Sequence, residues 1–371
     1  MKKVLITGAE GFIGKNLCIA LEQRKDVRVL PYDVNNAKKE LAQFAAEADF
    51  VFHLAGVNRP ENIEEFDRGN RGFTLELAEL LEKAGRRVPV AMTSSIQAAL
   101  DNPYGVSKKK AEDALWEWSR RSGAPVYIYR LPNVFGKWCR PNYNSVVATF
   151  CYNIARGLPI QINKPAAELT LVYIDDVVDE LIAAMEGAPH RGDDGFCYVP
   201  RTFKVTLQKL AETIYSFTES RTTLVVPNFE GDFERFLYAT FISYLPEKGF
   251  SYDLEMKYDQ RGWLAEFIKS KQFGQIFISR TRPGITRGNH WHHTKVEKFL
   301  VIEGEALIKF RKIGTDEVIE YQVSGEQLRV VDIPPGYTHS ITNIGSTDVI
   351  TLFWANEIFE PARADTYYLE V

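Results

Sequence analysis

The stretch Val-Leu-Ile-Thr-Gly-Ala-Glu-Gly-Phe-Ile-Gly, residues 4–14, decides the fold of the first half of the chain. Its first four residues form a short apolar run that is typical of a buried strand. Three glycines come next at a spacing of three, and a helical pattern begins behind them. Small residues at such a turn let the backbone approach a pyrophosphate, which rests on the helix N-terminus. The stretch predicts a doubly wound α/β sheet with a dinucleotide site, whose expected lining residues are Gly8, Gly11, Phe12, Ile13 and Gly14.

Two further strand ends extend the expected cofactor site. Asp33 follows an apolar strand pattern and lies 19 residues after Gly14, which suits a carboxylate that accepts from the adenosine ribose hydroxyls. Another strand is predicted at residues 49–54, and the small residues at its end would let a cofactor pass close by. His53 in that strand is interpreted as a hydrogen-bonded core histidine rather than a catalyst. The residues assigned to this second contact are Leu54, Ala55 and Gly56.

A phenol and an amine stand four residues apart in a predicted helix. Tyr104 and Lys108 are one helical turn apart, so both side chains point the same way. A nearby ammonium is expected to lower the pKa of the tyrosine, which can give a proton to a ketone oxygen as a hydride arrives at the carbon. Ser95, nine residues earlier, and its neighbour Ser94 lie at the expected C-terminal end of a strand, where parallel sheets bind ligands.

An apolar loop, Leu-Pro-Asn-Val-Phe-Gly at residues 131–136, comes after the next expected strand. It is predicted to form a wall beside the nicotinamide ring, through Leu131, Asn133 and Val134. Polar residues in this loop and beyond it are candidates for holding a diphosphate or a sugar, although residues of these types also occur on any solvated surface. The candidates are Asn133, Asn142, Asn144, Lys164 and Arg201.

As a set, these motifs resemble the extended short-chain dehydrogenase/reductase family, which works mostly on nucleotide sugars, and the resemblance covers residues 1–245. It implies that Tyr104 is the general acid and that Lys108 binds the nicotinamide ribose and tunes Tyr104. It also implies that Ser95, with Ser94 as the alternative, hydrogen-bonds the substrate carbonyl oxygen.

The chain departs from the sugar dehydratases of that family at one place. Those enzymes carry an Asp-Glu pair directly after the catalytic hydroxyl residue, whereas this chain has Ile96 and Gln97. The carboxylates for proton transfer to the ring are missing, so simple ketone reduction is expected. Asp33 would repel a 2′-phosphate, which favours NADH.

The pattern of residue types along the sequence changes near residue 246. Short aromatic and β-branched runs, separated by glycines and prolines, replace the strand–helix alternation and predict an all-β jelly roll or closed antiparallel barrel. We therefore expect an NAD(P)-binding reductase domain at residues 1–245 and a second domain at residues 246–371.

The second domain carries a ligand set for a metal. His290 and His292 would face the same side of a strand, and Glu297 and His339 would join them from neighbouring strands. Three imidazoles and a carboxylate suit zinc, iron, manganese, nickel or cobalt. With the glycines and prolines around them, these residues fit both motifs of the cupins, so this half resembles a cupin barrel that binds one divalent metal, with zinc as the first expectation.

A cupin fused to such a reductase resembles the CapF-type bifunctional enzymes of capsular polysaccharide biosynthesis. The resemblance implies that the cupin epimerises carbon 3 of a UDP-linked 2-acetamido-2,6-dideoxy-4-keto-hexose. It implies that the reductase then reduces the carbon 4 ketone with NADPH to UDP-2-acetamido-2,6-dideoxy-L-talose, on the route to UDP-N-acetyl-L-fucosamine. NADPH is therefore the expected cofactor, with NADH kept open because of Asp33. Residues flanking the metal ligands are candidate epimerase bases, namely His293, Lys295 and Tyr337.

Composition limits the remaining choices. The net charge of −4 over 371 residues gives no nucleic-acid footprint, and no apolar stretch approaches the length of a membrane span. Four cysteines without paired spacing fit a reduced, cytoplasmic chain, and the barrel leads us to expect a homodimer. Two alternatives stay open: an NADP-binding sensor with a cupin effector module, and a reductase joined to an iron-dependent cupin dioxygenase.

Overall fold

The chain, described over residues 1–371 by a computed structural model, forms two compact units. One unit consists of Met1–Ile214 with Phe236–Leu245, and the other of Tyr215–Arg235 with Pro246–Val371. The units therefore change at residues 245 and 246, and residues 215–235 also group with the second unit. No helix in the chain is both long and apolar enough to cross a lipid bilayer.

Five parallel strands form the central sheet of the first unit. They are β1 (Lys2–Thr7), β2 (Val27–Tyr32), β3 (Phe50–His53), β4 (Val90–Ser95) and β5 (Val126–Leu131). Their order is β2-β1-β3-β4-β5, so the strand order reverses between β1 and β3. Ligands of doubly wound sheets bind beyond the carboxyl ends of the strands at such a reversal. The α/β fold predicted from the glycine turn is confirmed.

Nine α-helices accompany the strands of the chain before residue 246. They are α1 (Phe12–Glu22), α2 (Lys38–Glu47), α3 (Glu64–Phe66), α4 (Phe73–Lys83), α5 (Pro103–Ser122), α6 (Val146–Ile154), α7 (Ile174–Met185), α8 (Leu207–Thr223) and α9 (Asp232–Ser243). A small sheet of order β6-β7-β8 completes the first unit, with strands β6 (Asn133–Phe135), β7 (Glu168–Tyr173) and β8 (Phe203–Thr206).

Helix α5 is positioned at both ends and along one face. The Asn102 side chain accepts a hydrogen bond from the Gly105 backbone N–H at 2.8 Å, and Pro103 occupies the first turn. Gly123 ends the helix in the left-handed region, with φ of 70°. Trp118 is fully buried against the core of the sheet, so the helix has one fixed rotation about its axis. That rotation decides where the residues of its first two turns point.

From Pro246 onward the second unit consists of two antiparallel sheets, and its segment Tyr215–Arg235 adds the end of α8 and the start of α9. One sheet contains β9 (Met256–Asp259), β10 (Gly262–Ser270), β11 (Gly274–Thr281), β13 (Glu297–Glu303), β16 (Val330–Ile333) and β18 (Val349–Ala355). The other contains β12 (Thr286–Trp291), β14 (Glu305–Lys312), β15 (Val318–Ser324), β17 (Tyr337–Asn343) and β19 (Tyr367–Tyr368). Their orders are β16-β13-β18-β11-β10-β9 and β15-β14-β17-β12-β19.

One apolar core joins these two sheets. Phe299 and Phe353 from the first sheet lie in the same cluster as Ile308 and Ile341 from the second, so the sheets pack face to face. Each such side chain contributes roughly 1.5–3 kcal/mol when it is fully buried. The predicted all-β second domain is confirmed.

Candidate functional site

The glycine turn brings three backbone segments into contact. Gly8 has φ of 73°, and a Cβ there would lie 2.7 Å from the Ala55 backbone nitrogen. A Cβ on Gly14 would lie 2.0 Å from the Gly8 carbonyl oxygen. Only glycine fits at either place. Helix α1 begins at Phe12 without a side-chain cap, so its first N–H groups face the end of β1 and are suited to a phosphate.

Asp33 follows β2 and holds the glycine turn. Its carboxylate accepts hydrogen bonds from the backbone N–H of Glu10 at 2.8 Å and of Val34 at 2.8 Å. The side chain is therefore fixed at the end of the strand, where the sequence places an adenosine ribose.

A cavity of about 520 Å³ lies at the carboxyl edge of the parallel sheet, and we call it the sheet-edge cavity. Most of the predicted cofactor and catalytic residues line it: Gly8, Gly11, Phe12, Ile13, Gly14, Leu54, Gly56, Ser94, Ser95, Tyr104, Lys108, Leu131, Asn133 and Val134. Asn144 lines it too, together with residues that the sequence analysis did not single out, including Asn58, Asn70, Arg140 and Tyr143.

Tyr104 and Lys108 meet different partners at the wall of this cavity. Burial raises the pKa of Tyr104, and a hydrogen bond with Ser95 opposes that rise. The prediction that the lysine lowers the pKa of Tyr104 is therefore wrong for this structure, because desolvation outweighs every other contribution. Burial lowers the pKa of Lys108 to about 8, and its ammonium donates to the Thr93 carbonyl at 2.8 Å.

The neighbouring residues Ser94 and Ser95 have different partners. Ser95 acts on Tyr104 and lowers the pKa of its phenol, whereas Ser94 donates to the Glu112 carboxylate at 2.5 Å. Glu112 is fully buried and also accepts two hydrogen bonds from Arg130, at 3.0 and 2.6 Å. Successive strand residues point to opposite faces, so only one serine of the pair can face Tyr104.

Asn70 is a polar cavity residue whose importance sequence reasoning missed. A π-helical turn at Asp67–Gly72 joins α3 to α4. The turn buries Asn70, which donates to Ser107 at 2.9 Å and to the Val57 carbonyl at 3.0 Å. Single-turn π-bulges are frequent at functional sites, but no residue pattern in this stretch announced one.

His53 lies under the cavity as a structural residue. Its ring nitrogens are hydrogen-bonded to Thr7 at 2.8 Å and Thr74 at 2.9 Å, and burial lowers its pKa to about 3. The prediction of a hydrogen-bonded core histidine is confirmed.

The remaining predicted sugar-binding residues lie outside the lining of the cavity. The Asn142 backbone N–H donates to Thr149 at 2.9 Å. Arg201 donates to Asp176 at 2.9 Å, and Lys164 is an exposed residue. Among the sugar-binding candidates, only Asn133 and Asn144 therefore share the cavity with Tyr104.

The second unit brings four predicted metal ligands together, and we call them the histidine cluster. His290, His292, Glu297 and His339 place one ligand atom each within 4.8 Å of one another. A bulge in β12, where Asn289 has φ of 56°, turns the chain before His290. His292 lies just after the strand rather than within it, so the predicted alternation along one strand is not what pairs the two histidines.

Electrostatics at the histidine cluster fit a cation. Both ring nitrogens of His339 are buried without a hydrogen-bond partner. Burial raises the pKa of the Glu297 carboxyl, but the nearby imidazoles of His292 and His339, 3.3 and 3.4 Å away, outweigh burial and hold that pKa well below its usual range. Burial lowers the pKa of His290 to about 4, which keeps that imidazole neutral. A neutral imidazole beside an ionised carboxylate matches the protonation states that a divalent metal requires of its ligands.

The three candidate epimerase bases differ in their surroundings. His293 is exposed and contacts the ring of Tyr367 at 4.9 Å between centroids. Tyr337 is half-buried and packs against the apolar core. Lys295 is buried, and its ammonium lies 3.6 Å from a carboxylate oxygen of Glu297. Only Lys295 therefore combines burial with contact to the histidine cluster.

Two family descriptions match the chain. Residues 4–195 match the NAD dependent epimerase/dehydratase family, and residues 257–367 match the polysaccharide biosynthesis C-terminal domain.

Relatives match over the full length. UDP-2-acetamido-2,6-beta-L-arabino-hexul-4-ose reductase of Pseudomonas aeruginosa is 47% identical over 369 residues, covering 100% of this chain and 99% of the relative. The capsular polysaccharide assembling protein CapF from Staphylococcus aureus superposes with a TM-score of 0.94 at 49% identity, covering 99% of this chain and 100% of that one. A structure of CapF with the inhibitor 3-isopropenyl-tropolone superposes with a TM-score of 0.90 at 45% identity, covering 100% of both chains.

Proposed function

The chain belongs to the NAD dependent epimerase/dehydratase family and, over its full length, to the CapF-type proteins, and on this premise we propose that its first unit reduces a UDP-linked sugar ketone with NADPH. The observation that carries the proposal is that Tyr104, Lys108 and Ser95 line one sheet-edge cavity together with the glycine turn. The proposed substrate is UDP-2-acetamido-2,6-dideoxy-hexose with a ketone at carbon 4, the class named in the Pseudomonas relative.

The residues that line the cavity can each take a separate role in the reduction of the ketone. A tyrosine is protonated at neutral pH, and burial raises the pKa of Tyr104 further, so Tyr104 can donate its proton to the ketone oxygen. Ser95 lies beside it and can hold the same oxygen by a second hydrogen bond. NADPH, when bound at the glycine turn, supplies the hydride. Lys108, anchored on Thr93, places a positive charge next to the reaction centre.

The two residues after Ser95 favour reduction over dehydration. Ile96 and Gln97 begin a short 3₁₀ helix, and neither offers a carboxylate for removing a ring proton. Both residues line the sheet-edge cavity, so they occupy the place where a dehydratase needs acidic groups. A ketone that enters this cavity has a proton donor but no carboxylate from these two positions.

The cofactor proposal combines two indications. The resemblance implies NADPH, whereas the fixed Asp33 carboxylate disfavours a 2′-phosphate. Lys38, the first cation after Asp33 in the sequence, is paired with Glu76 at 3.3 Å. We therefore propose that NADPH is used and that Asp33 limits the preference for NADPH over NADH.

For the second unit we propose epimerisation at carbon 3 of the same 4-keto sugar. The ketone acidifies the neighbouring C–H, so a base can remove that proton and an acid can return one to the other face. His290, His292, Glu297 and His339 would hold a divalent metal, first of all zinc, which supplies Lewis acidity for the ketone oxygen or braces the barrel. Lys295 is the proposed proton-transfer residue because it is buried beside this cluster.

The order of the two steps is set by the chemistry. Reduction removes the ketone on which the acidity of carbon 3 depends, so epimerisation must precede it. The product proposed for the sequence of steps is UDP-2-acetamido-2,6-dideoxy-L-talose. The domains proposed for the two steps are residues 1–245 and residues 246–371.

A homodimer is proposed for the assembly. Strand β15 is the edge of its sheet, and Val318, Ile319 and Tyr321 on it are exposed. An exposed apolar edge strand is a ready partner for another chain. Sedimentation equilibrium tests this, and a monomer at micromolar concentration would exclude it.

The decisive experiment uses deuterated water. The 4-keto sugar is incubated with the enzyme, with and without NADPH, and the products are analysed by NMR. Deuterium at carbon 3 without NADPH, and a reduced sugar only with NADPH, are expected. Reduction without any deuterium at carbon 3 would leave the first unit as a plain reductase and would refute the epimerase proposal.

A further inference from the structure

The C-terminal segment runs along the strand that carries the first metal ligand. We call residues 365–370 the C-terminal strap. Its strand β19 pairs antiparallel with β12, placing Tyr368 opposite His290 and Tyr367 opposite Trp291. The Leu369 backbone N–H also donates to the Asn289 carbonyl at 3.0 Å. The strap therefore covers the edge of the sheet at the bulge that presents His290.

Asp365, at the start of the strap, fastens the loop between the ligands. Its carboxylate accepts from the backbone N–H groups of His293 at 2.9 Å, Thr294 at 2.7 Å and Lys295 at 2.9 Å. The Thr294 hydroxyl adds a fourth donor at 3.1 Å. Three consecutive N–H groups that converge on one carboxylate fix the backbone between His292 and Glu297.

The backbone of the same residue orients a ligand ring. The Asp365 carbonyl lies 2.5 Å from His292 Nδ1. A carbonyl can only accept, so Nδ1 carries the proton and Nε2 is left as the ligand atom. Nε2 lies 3.3 Å from the Glu297 carboxylate, inside the histidine cluster. The Asp365 carbonyl, which lies outside the histidine cluster, thus sets the tautomer of His292 that metal binding requires.

The next residue extends this contact to the proposed proton-transfer group. The Thr366 hydroxyl accepts a hydrogen bond from the Lys295 ammonium at 3.0 Å. One short segment therefore holds a ligand ring, the loop behind it and the buried lysine.

We propose that Asp365 is a positioning residue for the metal centre, acting from the C-terminal strap on His292 and on the loop after it. This rests on the proposed function in one respect, the binding of a divalent metal by the histidine cluster. Outer partners of metal-bound histidines commonly contribute about 10–100-fold to metal affinity. The strap supplies such a partner together with the anchor of the ligand loop.

The test compares metal affinities of the full-length protein. Metal-free wild type, Asp365→Ala and Asp365→Asn are titrated with Zn²⁺ in competition with a chromophoric chelator, and with Co²⁺ while its d–d absorption is recorded. Asp316→Ala is the matched control, since Asp316 is an exposed aspartate of the same unit far along the chain from the ligands. We expect Zn²⁺ affinity to fall by about 10-fold in Asp365→Ala, because the variant loses the carboxylate that fixes the ligand loop but keeps the backbone carbonyl on His292. The Co²⁺ spectrum should change in the same variant, and the control should match wild type.

The outcomes distinguish a failure of the proposed role of Asp365 from a failure of the proposed metal centre. Asp365→Asn keeps one acceptor oxygen and should lose less affinity than Asp365→Ala, and it carries the comparison if the alanine variant does not fold. Wild-type affinity and an unchanged Co²⁺ spectrum in a folded Asp365 variant would overturn the inference while leaving the metal site intact. Wild type that takes up no metal would refute the proposed metal centre itself. The circular dichroism spectrum of every variant, compared with that of wild type, serves as the measure of folding.

Discussion

The two clusters of functional side chains satisfy their buried polar groups in opposite ways. Around the sheet-edge cavity the protein supplies the partners itself: Lys108 donates to Thr93, and Ser94 donates to Glu112. In the histidine cluster both ring nitrogens of His339 are buried without a partner. An unsatisfied buried polar group costs about 1–3 kcal/mol, so the second arrangement favours an ion that uses those lone pairs. A site for a large nucleotide and a site for an ion therefore differ in their hydrogen bonding.

The strongest test of this contrast separates the two chemistries. In Tyr104→Phe the ketone loses its proton donor, so we expect the rate of reduction to fall by about 10³-fold. Deuterium exchange at carbon 3 should continue at the wild-type rate, because that proton transfer belongs to the other unit. Stopped-flow NADPH oxidation and NMR measure the two steps on the same sample. Loss of both would show that the two sites are not independent.

The complementary test removes a ligand from the histidine cluster. In His339→Gln we expect Zn²⁺ affinity to fall by more than about 100-fold, because a direct ligand contributes more than the outer partners do. NADPH binding, followed by nicotinamide fluorescence, should not change. His190→Gln is the control, since His190 pairs with Glu180 in the other unit. Equal Zn²⁺ affinity in His339→Gln and wild type would argue that the cluster binds no metal.

A third change probes how the sheet-edge cavity selects its cofactor. Asp33→Asn removes the negative charge that disfavours a 2′-phosphate but keeps an acceptor for the Glu10 N–H. We expect the ratio of kcat/KM for NADPH to that for NADH to rise about 10-fold, which corresponds to about 1.4 kcal/mol. The exposed Asp193→Asn is the control. A ratio that stays constant would mean that Asp33 serves only the glycine turn.

The smallest expected effect is a shift in pH dependence. Burial lowers the pKa of Lys108 to about 8, so its ammonium is present below that pH and is lost as the pH rises through it. Reduction should therefore weaken above about pH 8. Glu112 raises the pKa of Lys108, so Glu112→Gln should move this decline to lower pH. A pH profile of kcat/KM that is identical in wild type and Glu112→Gln would contradict the assigned coupling.

The main parts of the fold and of the candidate sites could be predicted from the sequence because they depend on local residue spacing or residue type. The glycine turn, the pair Tyr104 and Lys108, and the histidine cluster all depend on residues a few positions apart, or on ligand types with known preferences. The α/β half and the all-β half were predicted from the change in texture near residue 246.

Three features of the sites could not be predicted from the sequence, because they depend on contacts between distant residues or on a local change of helix type. The choice between Ser94 and Ser95 depends on Glu112, which lies 18 residues after Ser94 and accepts the Ser94 hydroxyl proton. Asn70 is presented by a π-helical turn, whose extra residue changes the helical phase without a signature in the residues. Asp365 lies 72 residues after His293, and only the fold reveals that they meet.

Residues 215–235 belong to the second unit although they precede the last segment of the first unit, and this limits where the chain can be cut into separate fragments. Within that unit Leu224 and Val226 form two backbone hydrogen bonds with Lys269, at 2.7 and 2.8 Å. A fragment that starts at Pro246 would lack both, leaving an open strand edge that invites aggregation. A fragment that starts at Tyr215 would instead carry Leu237 and Phe241, which are buried in the first unit, into water. Neither single cut yields a clean half, so the two units are best expressed together as one chain.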